Sequence, residues 1–298
     1  MAHLAPRGAL TALVTPFTRD AESVDVAALE ALVEAQIAGG ISGLVPCGTT
    51  GETPTLTDAE QLEVVRRTVA AARGRAPVFA GTGSFSTKKT IEASRRALEA
   101  GATGVMIVMP YYSKPTQEGL FQHVKAVAAA VDAPVILYNI PGRSSVDLAV
   151  DTTCRIVEAC PNVVATKEAT GNVLRCQELK RALGDRLTVL SGDDALTLAM
   201  MATGADGVIS VTSNLYPAEV STVVREFAAG RAREALALHR RLLPVHDGMF
   251  LEANPGPVKA ALAARGAMTD ALRLPLVPVS DATRARLAEL TAQLEATR

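Results

Sequence analysis

Asn162-Val-Val-Ala-Thr-Lys-Glu-Ala-Thr170 carries small and β-branched residues straight into a lysine. A short, unbroken apolar run rich in valine reads as a strand covered on both faces, the kind that parallel sheets use. Nothing in the run alternates in a way that would turn Lys167 toward water. A lysine closing such a strand lies in or beside a low-dielectric interior, where the charged ammonium is disfavoured. A neutral amine placed there is a nucleophile able to form a Schiff base with a carbonyl compound. The plainer alternative is an ammonium that snorkels past the strand end into solvent.

Outward from this strand the pattern repeats. Strands are expected at 9–14, 43–47, 77–81, 104–109, 134–139, 162–167, 186–191 and 207–211. Helices are expected between them, at 26–38, 57–73, 86–100, 117–131, 150–159, 172–183, 195–203 and 217–229. Asp25 reads as an N-cap, Thr57-Asp-Ala-Glu60 as a capping box and Asn172 as a further cap. Three stretches share one shape: Ala38-Gly-Gly-Ile-Ser-Gly-Leu-Val45, Ala100-Gly-Ala-Thr-Gly-Val-Met-Ile107 and Thr203-Gly-Ala-Asp-Gly-Val-Ile-Ser210. Each has a glycine that ends a helix and another that opens a strand.

Eight strand–helix units with short links predict a parallel (β/α)8 TIM barrel over residues 1–230. The rival open, doubly wound sheet usually carries GxGxxG after its first strand, and Thr15-Pro-Phe-Thr-Arg-Asp20 is nothing like it. Residues 231–298 are expected to form a C-terminal helical appendix, with helices at 231–243, 257–265 and 281–297.

Composition narrows the function classes. The chain has 298 residues, 48% hydrophobic and 20% charged, enough for one large barrel core. With no Trp and 3% aromatics, that core must be aliphatic. A formal net charge of −1 gives no electrostatic case for nucleic acid or an anionic membrane. Cys47, Cys154, Cys160 and Cys176 form no CxxC pair and read as reduced thiols of a cytoplasmic protein. The four histidines show no HxxxH or HExxH spacing, so no metal site is expected. The apolar run before Thr15-Pro16 is too short for a signal sequence, and no later run approaches a membrane span.

Barrel chemistry gathers at the C-terminal ends of the strands. The second strand ends in Gly48-Thr-Thr-Gly-Glu52, either a plain tight turn or a place where backbone and hydroxyls meet an anion. Three of the four tyrosines (Tyr111, Tyr112 and Tyr138) fall after the fourth and fifth strands, as proton relays or as rings that plug the rim. Arg143 offers a planar fork suited to a carboxylate, or is a solvated loop residue. Asp193 and Asp194 are expected to cap the next helix, with acid or metal-ligand roles as the alternative. A lysine, hydroxyls and an anion-binding turn, without a histidine base or phosphate loop, suit carbonyl chemistry through an imine.

These motifs in combination, with Lys167-Glu-Ala-Thr-Gly171 and Ser191-Gly-Asp-Asp194, resemble the dihydrodipicolinate synthase and N-acetylneuraminate lyase family of pyruvate-dependent class I aldolases. The resemblance runs from Gly8-Ala-Leu-Thr-Ala-Leu-Val-Thr-Pro16 to Thr269-Asp-Ala-Leu-Arg-Leu-Pro-Leu-Val-Pro278. Pro110-Tyr-Tyr-Ser-Lys-Pro-Thr-Gln-Glu-Gly119, Ile140-Pro-Gly-Arg143 and Phe250-Leu-Glu-Ala-Asn-Pro-Gly-Pro-Val-Lys259 point to the dihydrodipicolinate synthase side of that family.

The resemblance implies a set of roles. Lys167 forms the Schiff base with pyruvate, and Thr49, Tyr138 and Tyr112 relay protons. Thr50 and the glycine-flanked backbone hold the pyruvate carboxylate. Arg143 binds the carboxylate of a second substrate, L-aspartate 4-semialdehyde, and Gly192 and Ile209 present backbone groups near the pyruvate unit. No cofactor is implied. Tyr112 would reach across a dimer interface, which implies a homotetramer made of tight dimers. Feedback inhibition by L-lysine is expected to be weak or absent. The positions that typically hold two histidines, an asparagine and a glutamate are Asp58, Gln61, Phe85 and Lys89 here.

Two other readings compete. One keeps the fold and the imine but takes a sugar acid or a 4-hydroxy-2-oxo acid. Arg143 argues against it, because the resemblance puts no arginine in that loop of sugar-acid members. The other is a barrel that only binds small oxo acids, which would need no buried nucleophile.

Overall fold

In the computed structural model, which describes residues 3–296, eight parallel strands alternate with helices. The strands are β1 (Gly8–Ala12), β2 (Gly43–Val45), β3 (Phe79–Gly81), β4 (Gly104–Val108), β5 (Val135–Asn139), β6 (Val163–Glu168), β7 (Thr188–Ser191) and β8 (Gly207–Ser210). Their order around the sheet is β2-β1-β8-β7-β6-β5-β4-β3. The two ends meet through a parallel bridge between Leu44 and Val78 and a bond from the Gly81 N–H to the Pro46 carbonyl, 2.9 Å. The result is the expected closed barrel.

The outer layer is α1 (Val26–Ala38), α2 (Asp58–Ala72), α3 (Thr87–Glu99), α4 (Gln117–Ala129), the single turn α5 (Pro141–Ser144), α6 (Val150–Ala159), α7 (Val173–Leu183), α8 (Thr197–Ala202) and α9 (Pro217–Ala228). Local chemistry starts these helices where the sequence puts it. Asp25 accepts from the Ala28 N–H at 3.0 Å, and Asn172 accepts from the Leu174 N–H at 3.0 Å. Thr57 and Glu60 form the complete capping box. Gly40, Gly101 and Gly204 follow their helices with φ of +78°, +96° and +106°, where a side chain would be strained.

Strand ends were expected to run further than they pair. β2 stops at Val45 because Cys47 already turns into left-handed backbone at φ +56°. β3 starts at Phe79, past Pro77, which has no N–H to give a ladder.

After the barrel come α10 (Ala232–Gly248), α11 (Gly256–Ala264) and α12 (Asp281–Glu295). The expectation that the first would stop at 243 fails, because α10 passes through Pro244. Proline removes one backbone bond. Burial of Leu242, Val245 and His246 on both sides of it outweighs that loss. The last helix was expected to reach Thr297, which lies outside the described residues. These three helices share one apolar cluster with barrel residues such as Leu44, Val208 and Val223.

Register decides where Lys167 points. Val135 pairs with Val163, but Ile136 pairs with Ala165, so Val164 is an extra residue in β6. Val163 joins the cluster between strands and helices, while Val164 and Ala165 both join the cluster inside the barrel. The pleat therefore changes phase by one residue. Two positions after Ala165, Lys167 enters the barrel level with its neighbours Tyr138 and Leu190, both in the interior cluster.

Candidate active site

Lys167 ends up 4% exposed, with Nζ 4.3 Å from the centroid of the Tyr138 ring. The π face beside the amine offers a partial counter-charge without a competing carboxylate. Tyr138 is itself buried, and its hydroxyl has no hydrogen-bond partner among the described residues. It lines a cavity of about 500 Å³ with Thr49, Ile140, Arg143 and Tyr111. Lys167, Thr50, Gly192 and Ile209 do not line that cavity; Lys167, Thr50 and Ile209 are buried, and Gly192 is half-buried.

The turn after β2 is built to present backbone. Cys47 and Glu52 bracket it with left-handed φ of +56° and +52°. The Gly51 and Glu52 N–H groups bond back to the Gly48 and Thr49 carbonyls at 3.0 and 3.1 Å. The Thr49 and Thr50 N–H groups meet no acceptor among the described residues. Two such donors in a tight turn form an anion-binding concavity. The stretch is a tight turn with two N–H groups to spare.

The strained turn is held from behind. Lys259 and Glu52 form an ion pair of 2.6 Å with both side chains fully buried. Burial pushes the Lys259 amine down from the usual lysine range, and Glu52 opposes that shift. Nζ also sits 4.3 Å from the Phe17 ring centroid. The other Glu52 oxygen accepts the Arg273 N–H at 3.2 Å. The Arg273 guanidinium reaches Glu60 at 2.6 and 2.9 Å and holds that carboxyl at about 2, well below its ordinary value. Asn254 donates from Nδ2 to the Thr50 hydroxyl at 3.0 Å. No role was expected of Asn254, Lys259 or Arg273. The usable signal was a lone lysine in the apolar run Pro257-Val-Lys-Ala-Ala-Leu-Ala263, which requires a buried acid as partner.

The remaining expected residues divide. Arg143 lies on α5, exposed, lining the cavity and without a side-chain partner among the described residues. Gly192 gives its N–H to the Glu168 carbonyl at 2.7 Å, so only its carbonyl is free to meet a ligand. A Cβ there would stand 2.6 Å from the Ala169 Cβ, so glycine allows β6 and β7 to end close together. Ile209 is fully buried in the barrel interior. Tyr112 does not join the group within one chain: it is 92% exposed with φ +69°. Tyr111 packs edge-on to Phe85, ring centroids 5.6 Å apart.

Asp194 needs correction. It does not cap the following helix. It is buried and accepts from the Ser210 hydroxyl and from the Val211 and Thr212 N–H groups at 2.8 and 3.2 Å, closing the end of β8. Asp193 does serve the turn, accepting the Ala195 N–H at 2.9 Å. Glu168, next to the lysine but on the outer face, takes the Thr170 N–H and the Asn139 amide, and burial raises its carboxyl above the ordinary range. Among the described residues no three His, Cys, Asp or Glu side chains form a metal-holding group, and no helix is long and apolar enough to cross a membrane.

A parallel barrel with a buried lysine beside a tyrosine at the strand ends, and an anion turn nearby, belongs to the lyases that work through an imine. The chain belongs to the dihydrodipicolinate synthetase family, whose model matches residues 5–294. A Sorangium cellulosum (strain So ce56) protein named 4-hydroxy-tetrahydrodipicolinate synthase is 67% identical over 298 residues, 100% of this chain and 99% of that protein. The structure of the 4-hydroxy-tetrahydrodipicolinate synthase from Methylacidiphilum fumariolicum SolV superposes with a TM-score of 0.95 at 46% identity, covering 97% of this chain and 96% of that one. The chloride-inhibited dihydrodipicolinate synthase from Acinetobacter baumannii, solved in complex with pyruvate, gives a TM-score of 0.95 at 42% identity, covering 97% and 98%.

The buried pair behind the anion turn makes a stability prediction. Lys259→Met leaves the Glu52 charge without its cation and should cost about 3–5 kcal/mol in denaturant unfolding. Adding Glu52→Leu should recover much of that loss, because both charges are then gone. A single variant within about 1 kcal/mol of the parent would show that the pair is not desolvated.

Proposed function

We propose that this lyase condenses pyruvate with L-aspartate 4-semialdehyde to give 4-hydroxy-tetrahydrodipicolinate, a step toward diaminopimelate and lysine. The observation that carries the reading is Lys167 itself, buried, level with Tyr138 in the barrel and with its amine against that ring.

The Lys167 amine adds to C2 of pyruvate, and water leaves as the imine forms. Loss of a methyl proton gives the enamine, with the protonated imine nitrogen as the electron sink. The enamine carbon attacks the aldehyde carbon, and the aldehyde oxygen takes up a proton. The amino group of the second substrate then attacks C2, the ring closes, and Lys167 leaves as free amine. Thr49 and Tyr138, joined by Tyr112 of the partner subunit, carry these protons. The free N–H groups of Thr49 and Thr50 and the Thr50 hydroxyl hold the pyruvate carboxylate. Gly192 and Ile209 offer backbone groups beside it, and Arg143 receives the carboxylate of the semialdehyde. The chemistry needs no cofactor.

A homotetramer built from tight dimers is the working assembly in this reading. A tyrosine held in left-handed backbone and projected into solvent carries a conformational cost, which a partner surface would offset. The four unpaired thiols accord with a reducing cytoplasm.

Borohydride trapping with pyruvate should add one adduct per chain, at Lys167, and Lys167→Arg should nearly abolish turnover. Peptide mapping that puts the adduct on Lys114 or Lys259 would contradict the assignment. Arg143→Ala should leave the trapped adduct intact while raising the apparent KM for the semialdehyde roughly tenfold or more. Tyr138→Phe should lower kcat instead. A matching loss of pyruvate binding in Arg143→Ala would remove the arginine from its proposed role.

L-lysine should inhibit poorly or not at all. Asp58 is taken by Arg96 at 2.9 Å, and Lys89 lies 5.8 Å from the Phe85 ring centroid. The Gln61 amide is given to the Thr53 and Leu56 carbonyls. A cationic ligand would meet the like charge of Lys89. In a steady-state assay with L-lysine raised to millimolar levels, rates should hold. Saturable inhibition at sub-millimolar lysine would overturn this expectation.

A further inference from the structure

We propose that Asn254, in the C-terminal segment between α10 and α11, is a positioning residue that fixes the direction of the Thr50 hydroxyl proton and thereby the binding of pyruvate. The proposal rests on the reading of Thr50 as an anchor for the pyruvate carboxylate. Asn254 Nδ2 stands 3.0 Å from Thr50 Oγ1, and the two residues are 6% and 2% exposed. An amide nitrogen can only donate, so this bond occupies a lone pair of the hydroxyl. The Thr50 O–H then remains to be given elsewhere, and no acceptor for it exists among the described residues.

The opposite arrangement, with the amide oxygen on Thr50, would consume the hydroxyl proton. It would also leave both amide hydrogens buried without an acceptor. In the present orientation one amide hydrogen is bonded, and Oδ1 and the other hydrogen lack a partner. Buried carbonyls lacking a partner are tolerated better than buried N–H groups. The same orientation therefore satisfies the amide best and frees the hydroxyl proton for an anion.

The hydroxyl is then available alongside the two N–H groups of the turn, which meet no acceptor among the described residues. The residue that enforces this lies 204 positions away in sequence, outside the barrel proper.

Asn254→Asp tests the point, because it keeps the shape and reverses the bond. A carboxylate accepts the Thr50 proton and withdraws it from the substrate. The KM for pyruvate should rise about ten- to hundredfold, the range of a charge-assisted hydrogen bond. At saturating pyruvate kcat should stay within about threefold, and borohydride trapping should shift to higher pyruvate by the same factor as KM. Asn254→Ala, which lets the hydroxyl rotate, should raise KM by a smaller factor of about three to ten. It gives the deciding measurement if the aspartate variant does not fold. On a Thr50→Val background neither change should add to the loss. If Thr50→Val raises the pyruvate KM while Asn254→Asp and Asn254→Ala leave it unchanged, the positioning role is wrong and the anchor reading stands. If Thr50→Val itself leaves KM unchanged, the anchor reading falls and takes the proposal with it.

Discussion

One extra residue in β6 sets the site. With a pleat of period two, a strand that kept the phase of Val163 would put Lys167 among the helices and Thr166 in the barrel. The bulge at Val164 reverses that assignment. It places the amine inside with Tyr138 and Leu190. It also sends Glu168 outward, where the Asn139 amide bridges it to Asp147 and Arg175 binds Asp147 at 2.7 Å. An acid and an amine adjacent in sequence thus never meet in one medium. That separation keeps a carboxylate away from the lysine, and the nearby ring of Tyr138 polarises the pocket without neutralising it.

The second constraint is the anion turn. Left-handed backbone at two non-glycine residues costs on the order of 1–2 kcal/mol each, so such a turn must be over-determined by its surroundings. Here the surroundings are the C-terminal extension. Asn254, Lys259 and Arg273 all reach the stretch from Thr50 to Glu60. A buried ion pair seldom adds net stability against an apolar pair of the same volume. Its use in this molecule is geometric, because it ties Glu52, at the end of the turn, to α11 of the C-terminal extension.

Much of this was legible in the chain. The helix starts at Asp25, Thr57 and Asn172, the glycine stops, and the eight strands follow from local rules, and so the barrel did too. Lys167, Thr49 and Tyr138 could be picked out because chemistry in this fold sits at strand ends. What local rules cannot carry is phase and partnership. The bulge at Val164 is invisible in Asn162-Val-Val-Ala-Thr166, since every residue there suits either face. Pro244 reads as a stop until the burial of its neighbours is known. Asp194 looks like a cap, and only the return of β8 shows that it serves the Val211 and Thr212 N–H groups. Asn254 is one polar residue among prolines until the fold brings it to Thr50.

A crystal structure of the protein reduced with borohydride in the presence of pyruvate addresses the central claim most directly. The expected result is a single bond from Lys167 Nζ to pyruvate C2 inside the barrel. The carboxylate should lie against the Thr50 hydroxyl and the Thr49 and Thr50 N–H groups, with Arg143 left unoccupied. A carboxylate seated on Arg143, or a Lys167 side chain turned out among the helices, would contradict it.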